Sequence, residues 1–139
     1  ITDSLVGSEM CIRDRSHWLE RERVLLFPSG FQANLAAVSA LAGRHTIVLA
    51  DRLIHHSLLV GVQASGARLR RFAHNDLQAL EHLLLQCRDD RPGAPLLVIT
   101  ESLFSMEGTS PALTELSALV SAARSTAAAR RSARPRRAG

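Results

Sequence analysis

Pro95-Leu96-Leu97-Val98-Ile99-Thr100 is the stretch of the sequence that most clearly decides the fold. It is a short, uninterrupted apolar run, which is typical of a strand buried on both faces of a sheet. One helical pattern precedes it, and another follows the loop 101–110. The apolar residues of these helices recur at helical spacing: Leu77, Leu80, Leu83 and Leu84 in the first, and Leu113, Leu116, Leu119 and Val120 in the second.

The same alternation extends towards the amino terminus. Apolar runs predict a buried strand at 46–50, a weaker strand at 69–72, and a buried strand or strand end at 24–27. Amphipathic patterns predict helices at about 32–41 and 57–64. Strands that alternate with helices in this way indicate an α/β fold, a partial three-layer parallel sheet with helices on both faces. In such sheets, ligands bind in the loops that follow the carboxyl ends of the strands.

Two residues are expected to fix helix starts. Asn75 is placed to cap the helix that follows it, with Gln78 three residues later as the partner in a capping box. Pro111 suits the first position of the last helix, where its missing N–H costs nothing.

Composition divides the chain of 139 residues into three parts. Residues 1–16 show no periodicity and are predicted to be foreign to the fold or disordered, and residues 17–123 form the predicted domain. Residues 124–139 contain six of the 17 basic residues and no acid, which leaves 11 basic against 13 acidic residues elsewhere, a net charge of −2. This arginine-rich tail is interpreted as a frameshifted, disordered segment, with a natural basic tail as the alternative.

Several protein classes are excluded by what the sequence lacks. No apolar run is long enough for a membrane helix, and no signal-peptide pattern begins the chain, so a cytoplasmic location is expected. Cys11 and Cys87 are too few for a disulfide framework. All 17 basic residues are arginine, so any mechanism that needs a lysine amine is closed to this polypeptide.

Three loops that follow predicted strands contain candidate functional groups. Ser29-Gly30-Phe31 leads into a helix, and the N–H groups at a helix start suit a phosphate. The segment 51–57 contains His55 and His56; adjacent residues point in different directions, so no metal site is predicted. The segment 100–108 contains Glu101 and Ser105. Hydrolase, Walker and dinucleotide-binding motifs are absent, so the residues alone indicate an anion site.

Four segments resemble one known family, the α-oxoamine synthases among the fold type I enzymes that depend on pyridoxal 5'-phosphate (PLP). The segments are LLFPSGFQANLAAVSALAG (25–43), ADRLIHHSLL (50–59), RRFAHNDLQALEHLL (70–84) and VITESLFSMEGTSPALTEL (98–116). The resemblance implies that the backbone of Gly30 and Phe31 contacts the cofactor. It also implies that His55 stacks on the pyridine ring beside the substrate, and that Ser105 lies near the ring hydroxyl.

Within the family, the segments most resemble the members that join L-alanine to pimeloyl-CoA or to a pimeloyl carrier protein. Those members are homodimers, so the resemblance implies a homodimer as well. Ile54 stands where the family often has serine, and His56 stands where alanine is common. The family's Asp-x-x-His motif, its cofactor-binding lysine and its C-terminal domain are missing from the sequence. The chain is therefore expected to be an inactive fragment of a PLP-dependent acyltransferase.

Other interpretations stay open on the sequence alone. Glycine C-acetyltransferase and 5-aminolevulinate synthase share the family architecture. The interpretation as a small basic nucleic-acid-binding protein depends only on the arginine-rich tail, whose basic residues are not interleaved with aromatic ones. A noncatalytic interaction module is the third alternative. Neither nucleic acid nor a membrane is an expected partner of the chain.

Overall fold

The computed structural model describes residues 12–132, with side chains described as far as Ala123. Its strands are β1 (Ile47–Asp51), β2 (Arg68–Phe72) and β3 (Leu96–Ile99), and its main helices are α1 (Gly30–Leu41), α2 (His56–Ser65), α3 (Leu77–Asp90) and α4 (Leu113–Ser132). The chain divides into two compact units between Ala33 and Asn34. The predicted domain boundaries after residues 16 and 123 stay predictions. None of the described helices is long and apolar enough to cross a membrane.

The first unit corrects one strand prediction. Residues 24–27 form no strand, and Leu25 is 81% exposed. A strand needs a neighbour that accepts and donates its backbone hydrogen bonds, and no described residue pairs with this run. Residues 12–18 are helical although the sequence there has no helical periodicity.

The second unit contains a fully parallel sheet with the strand order β2-β1-β3. Ile47 lies opposite Arg68 on one side and opposite Leu96 on the other. Because β1 is the central strand, each of its five residues is buried. This arrangement confirms the predicted parallel α/β sheet, and it places the ends of β1 and β3 side by side.

The two faces of the sheet are covered by different helices. Successive side chains of a strand point to opposite faces, so β1 contributes to two cores. Val48 and Ala50 lie in the first core, with Val38 of α1 and Val62 of α2. The second core contains Ile47 and Leu49 of β1, Leu80, Leu84 and Cys87 of α3, and the partly buried Leu116 and Leu119 of α4. The prediction of helices on both faces is confirmed, and each fully buried aliphatic side chain contributes about 1.5–3 kcal/mol.

Both predicted helix starts were wrong by one or two residues. Asp76, not Asn75, caps α3, since its carboxylate accepts the N–H of Ala79 at 2.9 Å. Asn75 instead adopts a left-handed backbone with φ of 53° and gives its own N–H to the Asp51 carboxylate. Helix α4 begins at Leu113, two residues after Pro111, and its backbone stays helical through Ser132.

Candidate functional site

The loop after β1 is shaped by the buried carboxylate of Asp51. This side chain accepts the N–H of Leu53 at 2.8 Å and that of Asn75 at 2.9 Å. Both bonds satisfy a charged group that would be costly to bury unpaired. The turn they stabilise leads directly to His55, at the carboxyl end of the central strand.

His55 caps helix α2 with its own ring. Its Nδ1 accepts the N–H of Ser57 at 3.2 Å and lies 2.6 Å from the Ser57 hydroxyl. Ser57 is fully buried, and its hydroxyl also accepts the side-chain amide of Asn34 at 2.9 Å. Nδ1 is thereby held as an acceptor, and the exposed imidazole keeps Nε2 unpartnered among the described residues. Sequence reasoning missed Asn34 and Ser57 as supports.

Glu101 joins the loop after β1 to the loop after β3. The backbone N–H of His55 donates to the Glu101 carboxylate, across 46 positions of sequence. Ser105 lies further along the same β3 loop and is exposed. Two of the predicted site residues, His55 and Ser105, therefore stand on two loops that are in direct contact at one edge of the sheet.

Gly30 and Phe31 lie in the first unit, at the start of α1. Ser29 caps this helix, because its hydroxyl accepts the N–H of Gln32 at 3.2 Å and its carbonyl accepts that of Ala33 at 3.1 Å. The N–H groups of Gly30 and Phe31 have no hydrogen-bond partner within the described part of the chain. Both residues are exposed, and a Cβ on Gly30 would meet nothing within 4 Å. Their contact with a cofactor stays a prediction.

A second group of polar residues, which sequence reasoning did not identify as a site, surrounds His74. Its Nδ1 lies 3.0 Å and 3.1 Å from the two Asp51 oxygens, and its Nε2 lies 2.8 Å from the Thr109 hydroxyl. The only sequence signal was the block RRFAHND, which matched the family without giving His74 a role.

Taken one by one, these groups have chemistry that suits different parts of PLP. Free N–H groups at a helix start suit a phosphate, an exposed imidazole suits an aromatic ring, and a hydroxyl suits the ring oxygen. The described residues include no cluster of three or more His, Cys, Asp or Glu side chains that could hold a metal ion.

Comparisons with known proteins show which family the chain belongs to. The family model of aminotransferase class I and II matches residues 7–128. An 8-amino-7-oxononanoate synthase from Klebsiella pneumoniae is 50% identical over 111 residues, which are 80% of this chain and 27% of that protein. The chain thus spans about a quarter of the length of the curated relatives that it matches.

Solved structures give the same result. The 8-amino-7-oxononanoate synthase from Francisella tularensis has a TM-score of 0.60 and 32% identity, covering 80% of this chain and 31% of that one. A serine palmitoyltransferase from S. paucimobilis with bound PLP has a TM-score of 0.64 and 33% identity, covering 71% and 24%. The resemblance that rested on four sequence segments is confirmed. The chain belongs to the aminotransferase class I and II family.

Proposed function

We propose that this chain is a segment of a PLP-dependent C-acyltransferase that condenses L-alanine with pimeloyl-CoA or a pimeloyl carrier protein. The products are 8-amino-7-oxononanoate, CO₂ and the free thiol of CoA or of the carrier. A cytoplasmic location and a homodimeric assembly are part of the same proposal. The 8-amino-7-oxononanoate synthases of several bacteria, at 42–52% identity, support this choice over other α-oxoamine synthases.

One observation supports the proposed cofactor site most directly. The loops after β1 and β3 meet through the contact between the His55 N–H and the Glu101 carboxylate. Because both strands are parallel and adjacent, this contact brings two exposed polar loops together at the carboxyl edge of the sheet. That edge is where open α/β sheets bind their ligands.

The residues that would hold PLP are those already described. His55 would lie against the pyridine ring, Ser105 would donate to the ring oxygen, and the N–H groups of Gly30 and Phe31 would bind the phosphate. When bound, PLP supplies an electron sink for the charge that develops on the amino-acid α-carbon. Asn34 and Ser57 would keep Nδ1 of His55 occupied, so that Nε2 is the nitrogen offered to a ligand.

The segment alone is proposed to bind PLP without completing the reaction. Fold type I enzymes attach the cofactor to a lysine, and no lysine occurs among the 139 residues. Any amine that moves protons in the reaction must therefore come from outside this segment.

The direct test is to incubate the full chain with PLP, with its N-terminal amine acetylated beforehand, and to treat it with borohydride. Equilibrium dialysis before reduction is expected to show noncovalent binding. Mass spectrometry after reduction is expected to show no PLP on any side chain, while a lysine-containing reference protein treated alike becomes labelled. Side-chain labelling, or a failure to bind PLP at all, would overturn the proposal for this segment.

The substrate assignment has its own test. The DNA beyond the codon for Ala123, read in all three frames, is expected to encode an Asp-x-x-His motif and a later lysine. A protein that joins residues 1–123 to the reading frame encoding these motifs should release CoA from pimeloyl-CoA in the presence of L-alanine. Faster release from acetyl-CoA with glycine would instead identify a glycine C-acetyltransferase.

A further inference from the structure

His74 follows strand β2 and contacts the end of β1 and the loop after β3. Its side chain is 23% exposed, and its partner Asp51 is 1% exposed at the end of β1. On the other side, its Nε2 lies 2.8 Å from the hydroxyl of Thr109, in the loop after β3. One imidazole therefore links three loops that are distant in sequence.

The hydrogen-bond partners decide which ring nitrogen holds the proton. The Asp51 carboxylate accepts hydrogen bonds, so Nδ1 donates to its two oxygens at 3.0 Å and 3.1 Å. Nε2 is then the acceptor for the Thr109 hydroxyl at 2.8 Å and for the side-chain amide of Asn75 at 3.2 Å. This is the Nδ1–H tautomer, whereas a solvent-exposed histidine favours the proton on Nε2.

Phe104 fixes the ring of His74 from a third direction. The two rings meet edge to face, with centroids 4.5 Å apart and an interplanar angle of 88°. Phe104 is 1% exposed, and its N–H donates to the Thr109 carbonyl at 2.8 Å. The short bridge between Phe104 and Thr109 closes the turn that contains Ser105. Each end of that turn therefore contacts His74.

We propose that His74 is a positioning residue that holds the turn of Ser105 in a fixed position relative to the loop of His55. It does so through Thr109 on one side and Asp51 on the other. The inference rests on the proposed function, in which these two residues act on one cofactor. His74 itself touches no reacting atom. Its protonated Nδ1 and accepting Nε2 fix the relative position of the two loops, because the reversed tautomer would set an unprotonated Nδ1 against the Asp51 carboxylate and an Nε2–H against the Asn75 amide donor.

The test uses the full chain labelled with ¹⁵N in its histidines, and it needs no cofactor. Two-bond ¹⁵N–¹H correlation spectra report which imidazole nitrogen is protonated. The resonance of His74, assigned by its loss in His74→Gln, is expected to show Nδ1–H in the wild type. An Nε2–H tautomer, or the averaged signal of a free imidazole, would overturn the inference.

Thr109 offers a matched pair of variants. Thr109→Val removes the hydroxyl at nearly constant shape, and Thr109→Ser keeps it. The valine variant should shift the amide resonance of Ser105 and weaken PLP binding about fivefold, the equivalent of one hydrogen bond, and the serine variant should restore both. Valine and serine variants with equal effects would contradict the proposal.

The two proposals can fail separately. If the wild type shows the Nδ1–H tautomer but binds no PLP, the proposed function fails while the link through His74 stands. If PLP binds but Thr109→Val changes neither the Ser105 resonance nor the affinity, the positioning role fails alone.

Discussion

At the scale of single residues, Gly61 shows how closely α1 and α2 pack. A Cβ at this position would lie 2.8 Å from the Val38 Cβ and 3.3 Å from the Leu35 carbonyl oxygen. Neither atom is the end of a flexible side chain, so the helices themselves would have to move. No local sequence pattern indicates this contact, since a glycine within a helical pattern does not identify the residues that pack against it.

We expect Gly61→Ala to lower the free energy of unfolding by about 1–3 kcal/mol, because extra volume in a packed core forces backbone shifts. Gly43→Ala is the control, since a Cβ there would meet nothing within 4 Å. Urea denaturation followed by circular dichroism measures both. A Gly61→Ala variant as stable as Gly43→Ala would show that the helices separate at no cost.

Cys87 is a thiol of α3 that is completely buried. Burial in the second core raises the pKa of its thiol above the ordinary value; the Arg70 guanidinium lowers that pKa in part, and the Asp90 carboxylate adds to the increase. The folded chain therefore keeps the proton at a pH where the unfolded chain loses it. The stability that this group contributes is present below the ordinary thiol pKa and is lost as the pH rises towards the folded value.

The rate at which iodoacetamide labels a Cys11→Ser variant measures the reactivity of the Cys87 thiol, which depends on its exposure and its ionisation. In the native protein the labelling should be much slower than in urea, and the urea midpoint should fall as the pH is raised through the thiol range. A Cys11→Ser, Cys87→Ala variant should lack that part of the pH dependence. Rapid native labelling at neutral pH would contradict the burial of this thiol.

At the scale of elements, the start of α3 distinguishes two neighbouring candidates. Asp76→Ala should lower the free energy of unfolding by about 1 kcal/mol, because the N–H of Ala79 loses its acceptor. Gln78→Ala should change it by less than about 0.5 kcal/mol, since Gln78 is exposed and its side chain forms no hydrogen bond with any described residue. Thermal unfolding of both variants decides between the two caps, and a larger loss for Gln78→Ala would restore the capping box predicted from sequence.

How far an element could be predicted from sequence depended on whether its partners were local. The strand prediction at 46–50 was confirmed because an uninterrupted apolar run identifies a central strand. The prediction at 24–27 failed because pairing depends on a neighbouring strand, which local sequence does not specify. The prediction that Asn75 caps α3 failed for a similar reason, since the N–H of Asn75 donates to Asp51, 24 positions away.

The candidate site likewise has parts that the sequence predicted and parts that depend on distant contacts. Four family segments identified the loops of His55 and Ser105, and the structure joins these loops at Glu101. The contacts of His74 with Asp51 and Thr109 cross 23 and 35 positions of sequence, so no local pattern indicates them. The contact between Asn34 and the buried Ser57 is equally non-local.

At the scale of the whole molecule, the proposed function makes the chain one part of a larger catalytic assembly. It spans about a quarter of its curated relatives and contains no lysine, yet it keeps the two adjoining loops that would hold the cofactor ring. Binding and chemistry are therefore expected to be separable: the segment should recognise PLP through its own side chains, and the reaction should need residues outside it.

The decisive measurement is the affinity of two His55 variants for PLP, determined by equilibrium dialysis of the full chain. His55→Asn keeps a good cap for α2 and removes the aromatic ring, whereas His55→Phe keeps a ring and loses the cap. We expect the asparagine variant to bind PLP about tenfold more weakly than the wild type and the phenylalanine variant to bind almost normally. Equal affinity in the wild type and His55→Asn would contradict the placement of the cofactor ring against His55.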